Sequence, residues 1–207
     1  MMFALLKVST AVLVAAATAL MGAPQASAAT DITYDCQASS PLGPQYIPFH
    51  QTVDATAPAT VAPGGTFDVV VDPATNQVPA TAGGYTVKNV NTFTLTVPIP
   101  PNATLSGLEL TGGSNLGSTP TWSASASVIT IKFAGPIAGG ALFDLPTITA
   151  HLTAGSTGVI ESTLYGTSYT DPGLTFNTVV TVVIFDVSVP TSCFPNPNPV
   201  LTSTTIA

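Results

Sequence analysis

The side chains of this sequence that can exchange a proton near neutral pH are two histidines, His50 and His151. His50, in "YIPFHQTVDA", alternates away from Phe49, and His151, in "LPTITAHLTAG", alternates away from Ala150 and Leu152. Both therefore read as solvent-side strand residues. Neither has a second histidine at ligand spacing, so no zinc site is expected. Two serines approach a nucleophile elbow without matching it: Ser114 in "GGSNLG" misses the spacing, and Ser156 in "AGSTG" begins on alanine. Glycine and serine are expected in both places for turn reasons alone. Asp68 and Asp72 can share one strand face as neighbouring solvated acids. Asp171, in "TSYTDPG", offers oxygen to a cation, but Asp-Pro-Gly is first a turn signal. No catalytic, cofactor-binding or metal-ligating residue is assigned, no cofactor is expected, and a secreted hydrolase is the least supported function.

The aromatic residues Tyr85, Tyr165 and Tyr169 could stack on a sugar or hold an apolar ligand if they share an exposed face. The lone tryptophan, Trp122, reads as core. Asn102 sits in "NAT" and reads as a turn residue.

The two cysteines carry a different chemistry. Cys36 and Cys193 lie near the two ends of the chain, in neither a C-x-x-C pair nor the neighbourhood of a base, so the expectation is one structural disulfide. Such a bridge closes nearly the whole domain into one loop, for which the chain-entropy model gives roughly 5 kcal/mol as an upper figure.

An oxidising address agrees with the N-terminus. "MMFALLK" is followed by the apolar run "VSTAVLVAAATALMG" and by "APQASAA", with Ala26 and Ala28 at the small positions before a cleavage point. Residues 1–28 are thus expected to be a signal peptide, and no stable transmembrane anchor is expected because no basic stop-transfer flank follows. The mature chain would be one domain of about 179 residues. It keeps Lys88 and Lys132 against ten carboxylates, a net charge near −8, with no arginine anywhere. Such a chain repels phosphate backbones, which excludes nucleic acid as a partner.

The elements that must position these residues are strands. Period-two alternation puts Ile32, Tyr34 and Cys36 on one face, then Phe67, Val69 and Val71, then Phe93, Leu95, Val97 and Ile99 opposite a run of threonines. "TWSAS" and "SVITIKFAG" read as a hairpin, and "LPTITAHLTAG" and "GVIESTLYGTS" as another. "LTFNTVVTVVIFDVSV" reads as one long final strand, central or bending between sheets. The expected fold is all-β: an immunoglobulin-like Greek-key β-sandwich spanning 29–194, with a closed β-barrel as the alternative. Residues 195–207, "PNPNPVLTSTTIA", read as a Pro/Thr/Ser-rich C-terminal tail that lies on the sandwich or dangles from it. The tail adds little to folding and offers acceptors for O-linked sugars.

The ordered set "PATVAPGGTFDVVV", "VPIPPNATL", "LTGGSNLG", "FAGPIAGG", "LPTITAHLTA", "GTSYTDPGLTF" and "SCFPNPNPVLTSTTI" resembles a family of small secreted proteins of mycolic-acid-bearing actinobacteria. Some members are labelled cyclase or dehydratase. The resemblance spans nearly all of the mature chain. It implies export, a cell-envelope or extracellular setting and a disulfide-tied β-sandwich, and it carries over no catalytic residue. The expected function is that of a non-catalytic secreted or cell-envelope structural or interaction protein, with envelope components or other envelope proteins as partners. The alternative is a binding module for an apolar or glycan ligand, and a lined pocket or an exposed aromatic platform would distinguish it.

Overall fold

The computed structural model describes residues 29–40 and 43–207. The expected signal peptide lies outside them. Every regular element among the described residues is a strand, as alternation with abundant Val, Ile and Thr requires. The first two, β1 (Thr30–Ser40) and β2 (Gly43–Thr56), pair antiparallel along their length. After β3 (Thr60–Val61) comes β4 (Thr66–Pro73), and after β5 (Asn76–Gln77) and β6 (Thr81–Ala82) comes the long β7 (Tyr85–Pro98). The middle of the chain supplies β8 (Ala103–Thr111), β9 (Thr121–Ala124), β10 (Val128–Phe133), β11 (Ile137–Ala138) and β12 (Leu142–Phe143). The last third supplies β13 (Thr147–Ala154), β14 (Gly158–Ser162), β15 (Leu174–Val182), β16 (Phe185–Pro195) and β17 (Thr202–Ile206).

One antiparallel sheet runs β8-β13-β4-β2-β1-β16-β15-β7-β10-β9, with β6 and β11 added on β7. It curls into a half-barrel whose two flanks face each other as in a sandwich. Leu108 of β8 and Ile148 of β13 pack with Ile129 and Ile131 of β10 across the interior. The edge strands β8 and β9 do not pair, so the sheet does not close into the alternative barrel. The β9–β10 hairpin is present as expected, with Trp122 opposite Ile131.

Cys36 and Cys193 are bonded, and they stand opposite each other in the β1–β16 ladder. The bridge therefore cross-links two strands that are already neighbours, at the point where Cys193 is wholly buried.

Three expectations are corrected. The stretch read as one final strand is two: β15 and β16 form a hairpin whose connection is only Val183 and Ile184, because Val182 pairs with Phe185. The segments around residues 154–158 are not a hairpin. β13 pairs with β4 and β8, whereas β14 crosses to a separate three-stranded sheet, β14-β17-β3. The tail is not peripheral either. Pro195 still ends β16 opposite Tyr34, and after Pro197 and Pro199 the stretch Thr202–Ile206 forms the middle strand of that small sheet, antiparallel to β14 and parallel to β3. Alternate side chains Thr202, Thr204 and Ile206 are buried, and Thr204 Oγ1 donates to the carbonyl of Pro58 at 2.7 Å. Ile206 joins Phe67, Leu152 and Ile160 in a core cluster beneath β4 and β13.

Candidate functional site

A domain of this size ordinarily has one contiguous core. This one has four clusters of buried apolar residues. They stand around a cavity of about 170 Å³ inside the half-barrel. One wall is Ile32, Tyr34, Val53 and Val71 from the β1-β2-β4 flank, and the facing wall is Leu95, Val97, Ile129 and Ile131 from β7 and β10. Phe93 and Phe133 stack at a centroid distance of 4.4 Å, and Phe93 stacks on Phe176 at 5.4 Å, to form an aromatic rim. The void explains an otherwise odd pattern in β7. Its inward residues Phe93, Leu95 and Val97, the cleanest alternation in the sequence, are only half-buried because they face the cavity rather than a packed neighbour.

The lining is almost entirely apolar, and no charged side chain belongs to it. Its polar exceptions differ in status. Gln51 is buried but satisfied: Nε2 donates to the carbonyls of Thr52 (2.9 Å) and Ala74 (2.7 Å), and Oε1 accepts from Asn76 (2.9 Å). The Tyr34 phenol is pushed far above its ordinary pKa by burial, so it stays protonated. Ser162 is the exception without a partner. It is 9% exposed, it lines the cavity, and its Oγ is the one fully buried side-chain polar atom among the described residues with no hydrogen-bond partner. Unmatched buried hydroxyls are costly and therefore scarce.

Ser162 reaches the cavity because β14 ends there. Its partner in the ladder is Thr202, its carbonyl accepts from the amide of Leu201 at 2.8 Å, and Leu201 also lines the void. The small sheet that contains the supposed tail thus closes one side of the site. Sequence reading missed both residues. The only signal was a serine two places after Ile160 in an alternating strand, on the inward face.

The residues first considered for chemistry lie elsewhere and apart. Ser114 Oγ donates to Asp144 at 2.6 Å in a surface bridge, with no histidine among its bonded partners, and this bond is the main cause of the lowered Asp144 pKa. Ser156 lies in an exposed turn. His50 Nδ1 contacts Thr33 Oγ1 at 3.2 Å on the outer face. Both oxygens of Asp171 serve its own loop, accepting from Tyr165 (3.0 Å) and Thr167 (3.1 Å). Asn102 is a left-handed turn residue with φ 65°.

His151 does find partners. It stands opposite Asp68 on β4 and Gly107 on β8, with Nδ1 2.7 Å from Asp68 Oδ1 and Nε2 3.7 Å from Glu109 Oε1. A Cβ at Gly107 would lie 3.4 Å from the imidazole, in ordinary van der Waals contact. The hydrogen bond to Asp68 raises the His151 pKa, helped by the charges of Asp68 and Glu109 and opposed by desolvation. Asp72, exposed on the same face of β4 as Asp68, accepts from Thr147 at 2.6 Å. No group of three His, Cys, Asp or Glu side chains among the described residues could hold a metal ion.

Trp122 is 42% exposed on the edge strand β9, contrary to its reading as core, because the edge leaves that position without a cover. Tyr46 and Tyr169 meet at 5.6 Å but are tilted by 46°, and Tyr169 turns edge-on to Phe194.

The fold is thus an all-β half-barrel around a neutral, apolar cavity. No protein-family model matches the chain, and no curated protein matches it in sequence. The fold is similar to a crystal structure of a "Putative membrane anchored protein" from Corynebacterium diphtheriae, with a TM-score of 0.59 and 18% identity. The match covers 87% of this chain and 38% of that one. At that identity the likeness is one of fold, with a protein of a mycolic-acid-bearing actinobacterium. No helix among the described residues is long and apolar enough to cross a membrane.

Proposed function

We propose that this protein is a non-catalytic, extracytoplasmic binding module that holds a neutral apolar ligand inside its half-barrel. The cavity carries the reading. A dry void of about 150 Å³ lined by Leu, Ile and Phe takes up benzene, and the present one is of that size with a similar lining. It therefore suits an apolar group of about six carbons, or the end of a longer chain. The ligand is uncharged, because a carboxylate brought into this lining would be buried without a cation. The unpartnered Ser162 hydroxyl favours one oxygen at the buried end, an alcohol, ester or ketone rather than a pure hydrocarbon.

The setting outside the cytoplasm is supported by the buried Cys36–Cys193 bond, since such bonds persist in oxidising compartments. The resemblance to small secreted proteins of mycolic-acid-bearing actinobacteria supports a cell-envelope address and envelope components as the source of the ligand. A purely structural role gives no reason to keep a void in the core, where each unfilled methyl-sized space costs about 1 kcal/mol.

The test is titration with 1-hexanol, hexanoate and toluene, followed by methyl NMR and by thermal melting. Hexanol and toluene should perturb the methyls of Leu95 and Ile131 and raise the Tm, and hexanoate at pH 7 should bind at least ~100-fold more weakly than hexanol. Absence of any shift with either neutral probe, near its solubility limit, would overturn the reading.

A further inference from the structure

The three most exposed large apolar side chains among the described residues are consecutive: Val183 is 90% exposed, Ile184 78% and Phe185 70%. They form the apex of the β15–β16 hairpin. Turn chemistry does not account for them. A two-residue hairpin connection favours Gly or Asn where φ is positive, and Val183 stands there at φ 59°, a conformation that β-branched residues avoid. The bulky residues are kept at the apex against the preference of the backbone.

The apex is also presented stiffly. β15 is paired on both sides, with β16 along its length and with β7 as far as Thr181 opposite Thr86. The carboxylate of Asp186 accepts from Thr181 Oγ1 at 3.0 Å and forms an ion pair with Lys88, which locks the base of the turn. On its other side β16 pairs with β1 only from Thr191 onward, so the hairpin end projects past that neighbour.

We propose that this hairpin apex docks the protein onto an uncharged or zwitterionic lipid surface by inserting Val183, Ile184 and Phe185. Area and charge select that occupant. Three side chains on a convex turn offer a few hundred Å² at most, short of the ~1,000 Å² that a specific protein interface or a stable dimer needs. A lipid surface requires no complementary shape, only apolar area. The chain carries a net negative charge, and Lys88 beside the apex is already paired with Asp186, so nothing there attracts an anionic surface. Tyr85, 39% exposed at the start of β7, adds a phenol at the height where lipid meets water.

The experiment is co-sedimentation of the full protein with phosphatidylcholine vesicles, with and without added phosphatidylserine. Binding should survive 0.5 M salt and weaken as phosphatidylserine rises. The variant Val183→Gly/Ile184→Asn/Phe185→Thr gives the turn its preferred residues, so it should melt no earlier than the parent and bind at least tenfold more weakly. Phe185→Ser alone, which leaves both turn residues in place, should weaken binding at least threefold. A parent that ignores phosphatidylcholine vesicles overturns the proposal, and so do folded variants that bind as well as the parent. A dimer that depends on the apex, seen in sedimentation velocity, overturns it in favour of a second copy. The cavity-filling variant Ala150→Leu should bind vesicles like the parent, which separates this proposal from the ligand reading.

Discussion

Cys36 and Cys193 face each other across the β1–β16 ladder with their Cα atoms 4.1 Å apart, and between them they enclose a sequence separation of 157 residues. Almost every wall of the cavity belongs to that enclosed stretch, so the bond limits how far an unfolded chain can disperse the site. Replacing both cysteines by serine is expected to cost about 2–5 kcal/mol. Urea denaturation of the oxidised parent and the double variant measures this, and equal midpoints would show that the ladder alone holds the ends.

The second prediction concerns β17. Because it is the middle strand of its sheet, removal of residues 202–207 should strip the cover from Ile160 and cost more than about 3 kcal/mol. Thr204→Ala is the milder test. It deprives the Pro58 carbonyl of its donor and should cost about 1–3 kcal/mol. A truncated protein with an unchanged melt would mean that this sheet adds nothing.

Filling the void should stabilise the protein and abolish binding. Ala150 lines the cavity on β13, and Ala150→Leu adds three carbons where there is room for them. A gain of about 1 kcal/mol is expected, with loss of hexanol and toluene binding. A destabilised but folded variant would mean that its wall is already packed at this point.

Ser162 separates the polar from the apolar part of recognition. Ser162→Ala removes an unmatched hydroxyl, so the free protein should gain up to about 1 kcal/mol. Affinity for hexanol should fall about 3- to 10-fold while affinity for toluene holds, in line with the net worth of one hydrogen bond. Equal losses for both probes would assign Ser162 a packing role only.

Much of this was legible in the alternation of residues. Ile32, Tyr34 and Cys36, and likewise Phe67 and Val69, face inward as their period requires. The β15–β16 turn was not legible, because a hairpin announces itself by Gly, Asn or Asp and this one uses valine and isoleucine. The cavity was not legible either: an inward Leu95 or Ile131 looks the same in a sequence whether it packs on another side chain or borders a void. Long-range pairing hid the rest. Nothing local to "LTSTTI" tells that Thr205 aligns with Thr60.

The outer face has its own pH dependence. The folded-state pKa of His151 lies above its ordinary 6.5, through the hydrogen bond to Asp68 first. A raised pKa stabilises the fold fully below the unfolded value, and that contribution is lost as pH rises through the folded value. The His151 resonance should therefore titrate above 6.5, and Asp68→Asn should bring its midpoint down. A midpoint at or below 6.5 in the parent would show that the pair does not form in solution.

The covalent clamp also decides how the molecule answers a mechanical load. Tension applied outside the two cysteines is borne by the Cys36–Cys193 bond, and the strands between them are shielded from it. Only the beginning of β1 and the segment after Cys193 can be drawn out, and the latter contains Leu201 and β17. Stretching from the C-terminal side would therefore peel the small sheet from beneath β4 and β13 while the strands between the two cysteines stay in the large sheet. The piece that yields first is the one that closes the cavity beside Ser162.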